Sequence, residues 1–172
     1  VAICIIIVHL IAIPAYGKDV ESPPIDYMYE KYNPILISIG ASPDEANMLI
    51  TLAVAEMAGQ LDVVKACAKW GCDNGTSFSV WQIQCINKPG KSWSANRWLW
   101  YLREKLNEPN LQCEDIHGDI IAAKSALVIM RTFGMRASPI ETMLMWGKSQ
   151  NPQRRVLLLN SIYNKVKKRR AA

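Results

Sequence analysis

Glu56 is the only ionisable residue between Glu45 and Asp62, in a run, SPDEANMLITLAVAEMAG at 42–59, that is almost wholly apolar after its first turn. The stretch GTSFSVWQIQ at 75–84 follows it. A carboxyl on an apolar face, in the last turn of a helix, is favoured as the neutral acid. A neutral acid of this kind can protonate a leaving oxygen. Glycoside cleavage uses that step, commonly with a second carboxylate across the scissile bond. Such a site also needs amides and hydroxyls for sugar hydroxyls, for which Ser77, Ser79, Gln82 and Gln84 are candidates. Aromatic faces for the sugar rings could come from Trp81, Trp93 and Trp146, although a tryptophan more often packs than binds. Asp62 and Asp73 are the candidates for the second carboxylate. The alternative for Glu56 is a carboxylate that turns to solvent or pairs with a Lys or Arg.

The elements that would position these groups are mostly helical. Ser42 as N-cap, Pro43 at the first helical position and Glu45 two residues on make a capping-box start for a helix that runs to about residue 58 and stops at Gly59. Its apolar character all round predicts a buried helix. Leu49, Leu52, Ala53 and Glu56 share one stripe. Before it, residues 25–39 read as a helical segment interrupted at Pro34 and ended by Gly40, and residues 18–24 as a linker. Between 61 and 93 the regular pattern fails, with short strands expected over 78–84. Residues 94–108 form an amphipathic helix with Trp98, Leu102 and Lys105 or Leu106 on one side, and Pro109 stops it. Residues 119–133 form another, ended by Gly134. Ser138 and Glu141 repeat the capping signature before a short helix, and a last helix starts near Pro152. The expected fold is mainly α (α+β), a helical bundle around a central buried helix with a small irregular or β lobe in the middle.

Composition bounds the rest. The chain has 172 residues and a net charge of +5, enough for one domain with a real core. Five basic residues, Lys165, Lys167, Lys168, Arg169 and Arg170, fall in the last eight positions. They read as a basic tail at 165–172, either solvated or weakly drawn to an anionic wall, membrane or other polyanion. No specific nucleic-acid partner is expected, and the chain reads as a monomer. Residues 1–17 contain no charged side chain and end in Ala15-Tyr16-Gly17 after Pro14, which reads as a signal peptide and an exported protein, periplasmic or extracellular. Cys67, Cys72, Cys85 and Cys113 then remain, an even number that suggests two disulfides with three pairings. Pairing of sequence neighbours, Cys67 with Cys72 and Cys85 with Cys113, is favoured. A zinc site is the competing reading, but the cysteines with His117 match no common zinc spacing. Asn74-Gly75-Thr76 forms a glycosylation sequon.

Two motifs carry a family resemblance over residues 42–164. AVAEM at 53–57 and SFSVWQI at 77–83 resemble the lysozyme-like superfamily, in particular its soluble lytic transglycosylase and goose-type lysozyme branch. There a helix delivers a catalytic Glu in an A-x-x-E-S context and an S-x-G-x-x-Q-I motif lines the cleft. Residues 121–130 are similar to the family's alanine-rich helix. Met145, Trp146 and Gly147 stand where it has a Tyr/Gly motif, and Arg154 and Arg155 precede the last helix. Met57 replaces the family's Ser, Ser79 its Gly and Trp146 its Tyr. The resemblance implies Glu56 as acid and then base, Ser77 and Gln82 as saccharide ligands, no metal or organic cofactor, and peptidoglycan strands as substrate. In the lytic transglycosylase branch no second carboxylate is required and the product is a 1,6-anhydro sugar. A catalytically inactive saccharide-binding or structural component of an envelope or secretion assembly is the alternative, and a cationic membrane-active protein a third.

Overall fold

In the computed structural model the described residues are 22–57, 77–85, 93–134, 138–146 and 151–171. The leader at 1–17, Asp62, Asp73, Cys67, Cys72 and the sequon at 74–76 lie outside them. Helix α1 (Ser22–Ser38) is followed by α2 (Pro43–Glu56), strands β1 (Ser77–Phe78) and β2 (Ile83–Gln84), and α3 (Trp93–Leu106). A 3-10 turn (Cys113–His117), α4 (Asp119–Phe133), α5 (Pro139–Leu144) and α6 (Pro152–Ala171) complete the described chain. The fold is mainly α, as the sequence predicts.

α2 is the centre. Every residue from Ala46 to Ala55 is buried, and α2 packs against α1, α4, α5 and α6. Its start is the capping box read from the sequence. The Ser42 hydroxyl accepts from the Glu45 N–H at 3.2 Å, and the Ser42 N–H donates to Glu45 Oε2 at 2.7 Å. Arg131 of α4 locks this end, donating from Nε to Glu45 Oε1 at 2.7 Å, from Nη2 to Glu45 Oε2 at 3.0 Å and from Nη2 to the Gly40 carbonyl at 2.8 Å. Hydrogen bonding to Arg131 holds the Glu45 carboxyl below its ordinary range; burial opposes this and the Ser42 N–H adds to it.

α1 differs from expectation at both points. It begins at Ser22, inside the supposed linker, and runs through Pro34 without a break. Pro34 and Glu30, whose carbonyl loses its helical donor, are both exposed, so water can take the donor's place. The buried stripe Ile25, Met28, Tyr32 and Leu36 faces the core. The helix closes in a Schellman turn: the Ala41 N–H donates to the Leu36 carbonyl and the Gly40 N–H to that of Ile37. Gly40 takes φ +85° there, a conformation glycine adopts without steric cost.

The segment at 78–84 carries the short strands expected of it. It doubles back as a two-stranded antiparallel hairpin, Ser77 opposite Gln84 and Phe78 opposite Ile83, through a turn in which Ser79 and Gln82 both have positive φ, 63° and 51°. A disulfide joins Cys85, just past β2, to Cys113 at the start of the 3-10 turn. The Phe78 ring meets His117 edge-on at 4.8 Å, tying the same two pieces together. The favoured Cys85–Cys113 pairing is therefore present.

The basic run at the C-terminus is not a separate tail. It forms the last turns of α6, a helix whose Leu159, Ile162, Tyr163 and Val166 are buried. Arg169 reaches α1, its Nε 3.2 Å from Asp26 Oδ1 and its Nη2 2.9 Å from Glu30 Oε1. Arg154 and Arg155 lie within the first turn of α6 rather than before it. In α3 the inward side is Leu99 and Leu102, with Trp98 and Leu106 half-buried beside them. Among the described residues no helix is long and apolar enough to cross a membrane.

Candidate active site

Glu56 is the last residue of α2, where the central helix leaves the core. After ten buried positions it is the first side chain of the helix to regain solvent, 20% exposed. It is not a lone carboxyl: it pairs with an arginine, the alternative that the sequence left open. Arg155 Nη2 donates to Glu56 Oε1 at 2.6 Å. No other described group hydrogen-bonds this carboxyl. Arg155 comes from α6, four residues before Leu159, and so lies on the stripe with Leu159, Ile162 and Val166 that faces the core. Its side chain is only 16% exposed, and its Nε is buried with no partner. Arg154, one position earlier, is exposed.

The residues of the second motif are placed around a packed tryptophan. Trp81 is fully buried. Its Nε1 donates to the Leu49 carbonyl of α2 at 2.8 Å, and its ring meets Tyr32 of α1 edge-on at 5.0 Å. Tyr32 in turn donates to Asp119 Oδ1 at 2.8 Å. Burial first, then the hydrogen bond and charge of Asp119, push the Tyr32 phenol above its usual range. Leu49 and Glu56 are seven residues apart, two helical turns or about 10 Å along one face. The hairpin turn is thus pinned to the same face of α2 that ends in Glu56.

Trp146, just past α5, closes over this turn. Its Nε1 donates to the Trp81 carbonyl at 3.1 Å, and its ring meets Phe133 edge-on at 6.3 Å. Phe133 meets Trp98 in the same way at 6.1 Å, and Trp98 meets Tyr101 at 5.9 Å. The aromatics thus form a connected series from α1 to α3. Each edge-on contact contributes about 0.5–1.5 kcal/mol beyond its buried area.

Several expected saccharide ligands are structural in this conformation. Ser77 has no exposed surface and Ser79 is 2% exposed. The Ser79 hydroxyl accepts from the Trp81 N–H at 3.3 Å, an ST-type bond that shapes the turn. Trp81 has no open face to offer a ring. Of the expected ligands, Gln84 is exposed and Gln82 and Trp146 keep part of their surface, with Gln82 Nε2 donating to the Ser79 carbonyl at 3.3 Å. The side chain of Trp93 is outside the described residues. Ser79 stands where the resembled family has Gly, and its φ of 63° is the backbone that favours glycine there.

Among the described residues no cluster of His, Cys, Asp and Glu could hold a metal ion. The group reasoning from residue types left unassigned was Arg155. It was visible as a basic residue of the last helix, and its periodicity with the apolar stripe was the signal that it faces α2. No family model, curated protein or solved structure matches this chain.

Proposed function

We propose that the chain is an exported peptidoglycan-degrading glycosidase that cleaves the β-1,4 bond between N-acetylmuramic acid and N-acetylglucosamine, with Glu56 as general acid and base. The observation that carries this reading is the carboxyl of Glu56. It emerges at the end of a helix buried from Ala46 to Ala55, with one oxygen held by Arg155 and a fifth of the side chain exposed. A fixed carboxyl that solvent can still reach suits proton transfer to a glycosidic oxygen.

In the lytic transglycosylase form of the reaction, the Glu56 carboxyl gives its proton to the bridging oxygen as the bond from that oxygen to C1 breaks. The substrate's own acetamido oxygen closes on C1. The Glu56 carboxylate then takes the proton of the sugar's C6 hydroxyl, whose oxygen attacks C1 and releases the acetamido group. The product is a 1,6-anhydro sugar and no water is consumed. The resemblance favours this form over hydrolysis, which would draw on Asp62 or Asp73 as the second acid. Gln82, Gln84 and Trp146 are the expected ligands that have described surface to offer the saccharide. The exposed cations of α6, Lys167 and Lys168, would favour an anionic wall or membrane.

A second reading has its own support. Ser77, Ser79 and Trp81 are taken up by packing, and Trp146 replaces the family's Tyr, which suits an inactive saccharide-binding or structural component of an envelope or secretion assembly. Mass spectrometry of soluble products from purified peptidoglycan decides between them, run with residues 18–172 beside Glu56→Gln. Anhydro-muropeptides that vanish in the variant are expected. Reducing-end products that vanish would make the enzyme a hydrolase. No products from folded, oxidised protein would refute the glycosidase reading and leave the binding one.

A further inference from the structure

The proposed reaction asks that the acid be held in one orientation, and in the resembled family the Tyr at the position of Trp146 helps to position the acid or the substrate. Here that position cannot supply the same bond. Trp146 has a single side-chain donor, Nε1, and it is occupied by the Trp81 carbonyl at 3.1 Å. The group that does reach Glu56 comes from a different element. Arg155 of α6 donates from Nη2 to Oε1 at 2.6 Å, a charge-assisted bond in a setting where both side chains are mostly withdrawn from water.

We propose that Arg155 is the positioning residue for Glu56, taking over from the replaced Tyr. The inference rests on the glycosidase reading above. The geometry gives it three supports. Among the described residues Arg155 bonds to one carboxyl oxygen only, so Oε2 takes no bond from it. An arginine commonly engages both oxygens of a carboxylate through its fork, and here Nε stays buried and unpartnered. Finally, Arg155 shares the core-facing stripe of α6 with Leu159, Ile162 and Val166, all fully buried, and packing of that stripe on α2 fixes where its guanidinium can go. The placement follows from the helix itself rather than from a loop.

The one-point bond holds the acid in its orientation. Arg155 therefore acts through Glu56 and need not touch the sugar.

The test uses initial rates on solubilised peptidoglycan strands with residues 18–172, wild type beside Glu56→Gln, Arg155→Met, Arg155→Lys and Arg155→Ala. Each is first checked by circular dichroism at the assay temperature. Loss of orientation should lower kcat of Arg155→Met about tenfold to a hundredfold, a part of the ~10²–10⁴ that a positioned general acid contributes, with KM changed less than about threefold. Arg155→Lys keeps the cation without the planar fork and should fall between. Guanidinium chloride at millimolar concentration should restore part of the Arg155→Ala rate, and sodium chloride at equal ionic strength should not. A purely structural arginine would not give that rescue. Wild-type kcat in Arg155→Met, or a loss confined to KM, overturns the positioning role while Glu56→Gln still reports the glycosidase reading. Should Arg155→Met and Arg155→Ala fail to fold, a wild-type kcat in folded Arg155→Lys overturns the role and a reduced one supports it. Absence of cleavage by the wild type would overturn both.

Discussion

The lock at the start of α2 makes a prediction that can be worked through. Glu45 has two duties: its Oε2 accepts from the Ser42 N–H, and both its oxygens accept from Arg131. Glu45→Gln keeps a side chain able to complete the capping box and loses the charge pair. Because Arg131 is half exposed, that part contributes only about 0.5–1 kcal/mol. Glu45→Ala also loses the cap, another ~1 kcal/mol, for about 1.5–2 in all. The dependence on pH has a definite sign. Arg131 lowers the Glu45 carboxyl in the folded state, so on acidification the unfolded chain takes up this proton first. Stability then falls with pH. The contribution is complete above the ordinary glutamate value of about 4.3 and is lost as pH falls through the lower folded-state value. Urea unfolding of wild type and Glu45→Gln at pH 7 should differ in midpoint by about 0.3–0.5 M for a slope near 2 kcal/mol/M. The difference should shrink toward zero near pH 2. A double-mutant cycle with Arg131→Met should show coupling of about 0.5 kcal/mol or more. A difference that persists at pH 2, or no coupling at pH 7, would refute the reasoning.

Other outcomes follow from the same contacts. Replacing Cys85 and Cys113 together by Ala removes a cross-link spanning 28 residues; the chain-entropy estimate for a loop of that length is about 3.5 kcal/mol, to be read from urea midpoints under oxidising conditions. Trp146→Phe keeps an aromatic ring but loses the bond to the Trp81 carbonyl, and should cost about 0.5–1.5 kcal/mol by the same measurement. Ser79→Gly relieves a positive φ at the cost of one 3.3 Å hydrogen bond, and should fall within about 0.5 kcal/mol of wild type. Ser79→Val should cost about 2 kcal/mol or more, since a β-branched residue is strained at that backbone.

Much of the frame was legible because its signals are local. The capping box of α2 lies within four consecutive positions, Ser42 to Glu45, and formed as read. α4 matched because a long apolar run bounded by glycines leaves little choice of register. The buried character of α2 followed from apolar residues on every face. Other features escaped for physical reasons. Pro34 usually interrupts a helix, but on a solvent-facing side its cost is small enough for the buried stripe of α1 to override. Short strands were legible in SFSVWQI, but the tight turn between them, with positive φ at Ser79 and Gln82, is announced by no residue-type preference. The placement of Ser77, Ser79 and Trp81 shows the limit of motif reasoning: the residues that shape a turn are of the same types as those that bind sugar hydroxyls. The partner of Glu56 is 99 residues away. Such a contact is set by how α6 docks on α2, which the local pattern does not encode.

The central claim is that the carboxyl of Glu56 transfers the proton that breaks a glycosidic bond. The most direct measurement is the rate at which fluorescently labelled peptidoglycan is released into solution by wild type and by Glu56→Gln, matched in circular dichroism and urea midpoint. The account predicts release by the wild type and a fall of at least about a hundredfold in the variant, the scale of general acid catalysis. Equal release by both would contradict it.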